Sequence, residues 1–87
     1  MGKMFIRYSV ADYEAWRAGF DAHAMTREAT GMMNAKVYRS TEIKNEVVLI
    51  IDIEDRLRTE EFATSEDVRL NNQRLGVVGT PERYYFE

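Results

Sequence analysis

No cysteine occurs in the 87 residues. Disulfide staples, thiolate nucleophiles and cysteine-built metal sites are therefore excluded. There is one histidine, His23, so no metal site built on a histidine cluster is expected. A zinc triad or a Ser-His-Asp arrangement has equally little to work with. Basic residues are scattered and outnumbered, 12 Lys and Arg against 15 Asp and Glu, for a formal charge of −3. Binding to a phosphate backbone needs a basic face, so no nucleic-acid partner is expected. The longest apolar run, residues 47–51, is far too short for a membrane span. Residues 1–4 lead directly into a short apolar alternation and lack the apolar core of a signal peptide. These absences point to a soluble protein, and the lack of cysteine fits a reducing, cytoplasmic location. No Gly-x-Ser-x-Gly elbow is present, and Gly76-Val77-Val78-Gly79 lacks the spacing of a phosphate loop.

Hydrophobic residues make up 45% of the chain, enough to argue against disorder. The length predicts one domain over residues 1–87 whose own core is small for its surface. Met4, Ile6, Tyr8 and Val10 alternate with Phe5, Arg7 and Ser9, the period of a strand. Asp12 stands where a helix N-cap belongs, with Glu14 in the first turn. Tyr13, Trp16, Phe20, His23 and Arg27 then recur every three or four residues, one face of a single helix closed by Gly31. Residues 35–41 predict a second strand, 42–46 a hairpin loop and 47–53 a third strand. Leu57 and Phe62 mark a short helix, and Ser65 caps another carrying Val68, Asn72 and Leu75 on one face. Gly79-Thr80-Pro81 reads as a turn, followed by a last strand over residues 83–87.

The order β-α-β-β-α-β predicts a ferredoxin-like α+β protomer, an antiparallel sheet with helices on one face. The third strand is apolar on both sides: Val47, Leu49, Ile51 and Ile53 face one way, Val48 and Ile50 the other. The helices can cover only one of these faces. A second copy of the chain is the simplest cover for the other, so a homodimer through the sheet is expected.

The residues read so far resemble a known superfamily. Asp12-Tyr13 with Trp16, Phe20-Asp21 with His23 and Arg27, the Asn45-Glu46-Val47 turn, Ser65 with Arg69, and Gly76-Val77-Val78-Gly79 leading to Pro81 and Tyr84 resemble small proteins of the dimeric α+β-barrel superfamily. That superfamily includes the antibiotic-biosynthesis monooxygenases, and the branch most similar in pattern carries the label cyclase. The resemblance covers nearly the whole chain. It implies a ferredoxin-like protomer, a dimer whose sheets pack together, and a pocket between helices and sheet. It also implies oxidation or rearrangement of polycyclic aromatic substrates without a metal or flavin cofactor; other members degrade haem. Three positions depart from the pattern: Glu42-Ile43-Lys44 in the hairpin, Ile53 in place of an aromatic, and Asn72 in place of an apolar helix residue.

Several residues are candidates for chemistry. Imidazole is the side-chain type that titrates nearest neutrality, so His23 suits acid–base work; it can equally be a half-buried histidine bonded to backbone or to a partner chain. Arg27 lies on the same helical face. Arg39 shares a strand face with Ala35 and Val37 and could clamp a carboxylate or enolate, or make a structural ion pair. Asn72 could face a pocket, unless a slight helix rotation exposes it. Tyr8, Trp16 and Phe20 could wall a site for a flat ligand or could simply fill the core. The favoured reading is a cofactor-independent monooxygenase or cyclase for a small apolar substrate. Its catalytic group is His23 with Arg39 and Asn72, and Tyr8, Trp16, Phe20 and Arg27 contact the substrate. The other reading is a non-catalytic dimeric module that binds a ligand or serves a structural role. A haem-binding reading rests on His23 alone.

Overall fold

The first strand, β1 (Gly2–Val10), keeps the alternation of its sequence: Met4, Ile6 and Val10 are buried while Lys3 and Arg7 are exposed. The computed structural model describes residues 2–87. It continues through α1 (Tyr13–Ala22), α2 (Ala24–Ala29), β2 (Met32–Arg39), β3 (Glu46–Ile53), α3 (Arg56–Ala63), α4 (Glu66–Arg74) and β4 (Val77–Phe86). The four strands form one antiparallel sheet in the order β2-β3-β1-β4. β1 and β3 thus lie inside, β2 and β4 form the edges, and the βαβ crossovers place all four helices on one face, the ferredoxin-like arrangement.

The caps act as expected. Asp12 accepts from the Glu14 and Ala15 N–H groups, and Ser65 from Val68 N–H, so each relieves unpaired donors in a first turn. Gly31 and Gly76 both adopt φ of +83°, the left-handed conformation that ends a helix and that a side chain would strain. β3 alternates buried and half-buried along its whole length, with Val47, Leu49, Ile51 and Ile53 in the core. These pack with Met4, Ile6, Trp16 and Phe20 between sheet and helices. Trp16 is fully buried, which stabilises the fold by roughly 2–3 kcal/mol.

Four expectations need correction. The single helix expected from Tyr13 to Gly31 is two helices, broken at His23 (φ −96°, ψ 11°). At the break, the Phe20 carbonyl accepts from His23 N–H at 3.2 Å and from Arg27 Nη1 at 2.6 Å. A side chain has entered the helical ladder, a recognised cause of kinks. β2 starts at Met32, earlier than expected, because a bulge absorbs the irregular residues: Met33 pairs with Asp52 and Lys36 with Ile50. Asn34, at φ of +55°, sits in that bulge. β3 starts at Glu46, one residue early.

The fourth correction has the largest effect on the site. Gly79-Thr80-Pro81 is not a turn but part of β4, which begins at Val77. Val78 pairs with Ser9 and Glu82 with Arg7, so β4 takes four steps where β1 takes two. Gly79, at φ of +75°, permits the bulge, and Pro81 is tolerated because β4 is an edge strand. Two extra residues preserve the alternation, which leaves Arg83 and Tyr85 on the helix side with Ile6 and Met4.

Candidate functional site

Between the helices and the sheet lies a cavity of about 260 Å³ that opens to solvent. Its floor is Met4, Ile6 and Tyr8 of β1 with Leu49 and Ile51 of β3. Trp16, Phe20 and Phe62 form apolar walls. Polar groups reach it from three sides: His23 and Arg27 at the helix break, Asn71 and Asn72 from α4, and Arg83 from β4. An apolar pocket with a few convergent polar groups has the general form of a small-molecule site.

The aromatic wall is ordered by its own contacts. Trp16 stacks on Phe20 with ring centroids 5.1 Å apart and meets Tyr8 edge-on at 5.9 Å. Its indole Nε1 donates to Tyr8 Oη at 3.2 Å, which satisfies a donor that burial would otherwise leave unpaired. Burial raises the Tyr8 phenol to about 12; the Trp16 hydrogen bond and the Arg27 charge pull against that rise without cancelling it. Tyr8 is thus a neutral hydroxyl at any ordinary pH.

Arg27 folds back over Phe20, its guanidinium carbon 3.6 Å from the ring centroid. This cation–π contact and the bond to the Phe20 carbonyl hold the cation at the cavity wall. Burial lowers its pKa, while Asp21 and Tyr8 oppose the shift. His23 is half-buried at the junction of α1 and α2, and its ring makes no side-chain hydrogen bond among the described residues. The imidazole is thus unencumbered at the cavity edge.

Of the residues singled out from sequence, Tyr8, Trp16, Phe20, His23, Arg27 and Asn72 are brought together around one cavity. Arg39 is not among its lining residues. It lies exposed at the end of the edge strand β2, with its guanidinium carbon 3.9 Å above the Tyr13 ring. The face parity expected for Arg39 is correct, since it pairs with Val47, but β2 runs past the cavity before reaching it. Arg83 was missed, because the turn expected at Gly79-Thr80-Pro81 hid the strand register that turns it inward. Its Nε is buried without a hydrogen-bond partner, and Nη2 is 3.7 Å from Glu60 Oε1. Among the described residues no group of three or more His, Asp or Glu is placed to hold a metal ion, and no helix is long and apolar enough to cross a membrane.

No protein-family model and no curated protein matches the chain. Solved structures do. A structure named antibiotic biosynthesis monooxygenase superposes with a TM-score of 0.71 at 8% identity, over 100% of this chain and 97% of the other. SnoaB from Streptomyces nogalater, named a cofactor-independent oxygenase, gives 0.73 at 16% identity, over 99% and 90%. Rv0793 from Mycobacterium tuberculosis gives 0.65 at 17% identity, over 99% and 92%. At such identities the likeness establishes the fold, and the chain has the ferredoxin-like α+β fold of the antibiotic-biosynthesis-monooxygenase-like proteins.

Proposed function

We propose that this protein is a cofactor-independent monooxygenase- or cyclase-type enzyme acting on a small, flat, mostly apolar substrate. The observation that carries the reading is the solvent-open apolar cavity with an unencumbered imidazole, His23, at its edge. The likeness in fold to SnoaB supports it by analogy. Trp16, Phe20 and Tyr8 hold the ring system. His23 accepts a proton from an activated C–H of the substrate, leaving an enolate whose oxygen is stabilised by the Asn72 amide and the Arg27 guanidinium. In an oxygenase reaction the electrons of that carbanion reduce O₂, and a new C–O bond forms at the same carbon. His23 returns its proton to the peroxide, and loss of water leaves a ketone, so a CH₂ group and O₂ become C=O and H₂O.

The resemblance also supports a homodimer, with the helix-free face of the sheet covered by a second copy. One observation favours a non-catalytic reading: His23 is the C-cap of α1 and the N-cap of α2, a position with structural work of its own. The experiment measures O₂ uptake with aryl-activated CH₂ ketones such as 2-indanone and anthrone, in the wild type and in His23→Gln. Enzyme-dependent uptake that falls at least about a hundredfold in the variant, with an unchanged melting temperature, is expected. Unchanged turnover removes the mechanism. A sharp loss of melting temperature in His23→Ala, with no ligand shifting the wild type, establishes the structural role instead.

A further inference from the structure

Arg83 and Arg27 both line the cavity, one from the sheet and one from the helix break. Among the described residues neither has a carboxylate in hydrogen-bond contact. For Arg83 the nearest is Glu60, at 3.7 Å, beyond hydrogen-bond length, and Glu60 already accepts from the Tyr85 hydroxyl. Arg27 makes no ion pair; of the two carboxylates whose charge acts on it, Asp21 and Glu28, the stronger, Asp21, is paired with Arg17. Among the described residues the only carboxylate that lines the cavity wall is Asp67, which is exposed, against two lining arginines; Glu60, which is not a lining residue, stands in ion-pair range of Arg83 alone.

A buried guanidinium Nε–H without a partner is costly, and such groups in folded proteins call for an explanation. The Arg83 side chain is 23% exposed, and its Nε is fully sequestered, so bulk water does not serve that donor. Nε and Nη2 of an arginine form the side-on fork that matches the two oxygens of a carboxylate. The body of the cavity, by contrast, is aromatic and aliphatic, and at about 260 Å³ it lies just below the range of about 300–1,000 Å³ typical for drug-sized ligands.

We propose that the ligand of this cavity is a monoanion, a flat body of one or two rings bearing one carboxylate. Arg83 pairs with the carboxylate, and Arg27 balances the charge from the helix wall. This rests on the reading of the cavity as a ligand site, and it narrows the substrate class to aromatic acids. It also makes Arg83 a specificity-determining residue, separate from the acid–base chemistry given to His23.

The test is calorimetric titration with 2-naphthoate and with its neutral, planar counterpart 2-naphthamide, on the wild type, Arg83→Met and Arg83→Lys. Binding is followed in parallel by emission of Trp16, the only tryptophan, which stands in the cavity wall. We expect the wild type to bind naphthoate at least tenfold tighter than naphthamide. In Arg83→Met that preference disappears while naphthamide affinity stays within about twofold, and Arg83→Lys keeps part of it. Equal affinities in the wild type overturn the anion assignment and leave the apolar ligand site standing. A preference that survives in Arg83→Met overturns the role of Arg83. If neither compound binds or alters Trp16 emission, the proposal falls together with the ligand-site reading.

Discussion

Leu75 occupies the space that a side chain on Gly19 would need: a Cβ built on Gly19 lies 2.1 Å from Leu75 Cδ2. Gly19 is inside α1, where glycine costs about 1 kcal/mol relative to alanine, and Leu75 caps α4 and lines the cavity. The glycine is what lets the two helices close over one end of the site. In Gly19→Ala the gain in helix propensity is offset by displacing the Leu75 side chain, whose end is free to rotate. Net stability is expected to change by less than about 1 kcal/mol. Ligand binding is the sensitive readout, because Leu75 must move within the cavity wall. Affinity for 2-naphthamide is expected to fall about fivefold or more, measured by titration of Trp16 emission against a denaturation curve of the same variant. Unchanged affinity would show that Leu75 is not a shaping residue.

The helix-free face of the sheet carries Phe5 between its cross-strand neighbours Ile50 and Tyr84, with Val48 beside Tyr38. Phe5 and Tyr84 are in contact with ring centroids 6.0 Å apart, and Tyr84 is 50% exposed. Ion pairs of Lys3 with Asp52 and of Arg7 with Glu82 lie among these residues. An apolar strip on an open sheet, interspersed with paired charges, is a surface suited to a partner. The protein is expected to sediment at twice the 10.2 kDa chain mass at micromolar concentration. Ile50→Lys, which places a charge at the centre of the patch, should weaken association roughly a hundredfold or more. Sedimentation of the wild type as a monomer would refute the dimer.

Stability at high pH is expected to depend on Tyr8. Its phenol is held near 12 in the folded protein by burial, against about 10 in an unfolded chain. The folded state therefore favours the protonated form. That contribution is fully present below pH 10 and is lost as pH rises from 10 to 12. Tyr85, also raised to about 12 by burial and by its bond to Glu60, adds to the same window. Tyr8→Phe should make the decline between pH 10 and 12 shallower. At pH 7 it should cost about 1 kcal/mol, because Trp16 Nε1 loses its acceptor. Denaturant midpoints at pH 7, 10 and 11.5 check both effects, and a wild-type slope in the variant would exclude Tyr8 as the titrating group.

Much of this architecture is legible in the residue pattern, for local reasons. The alternation of β1, the caps at Asp12 and Ser65 and the left-handed glycines at 31 and 76 depend on a few neighbouring residues. So does the inward stripe of Trp16 and Phe20, because helical spacing alone puts them on one side. Val68, Asn72 and Leu75 share a face for the same reason, and all three line the cavity. The break at His23 is different. It depends on Arg27 reaching back seven residues to the Phe20 carbonyl, an interaction that competes with the helical ladder and leaves no mark in the hydrophobic period.

The sequence by itself determined the order of elements, which faces of β1 and β3 are apolar, and the aromatic side of the first helix, because period and capping chemistry act over a few residues. Only the tertiary structure decided which polar side chains meet. Arg83 enters the cavity because β4 starts at Val77 and absorbs two extra residues against β1, and a Gly-Thr-Pro segment reads equally well as a turn when no partner strand is considered. Arg39 is left out because β2 lies at the sheet edge farthest from β4 and ends over Tyr13. Strand order and pairing register between strands distant in sequence set these outcomes, since a one-residue slip alone decides whether a cation faces the cavity or the solvent.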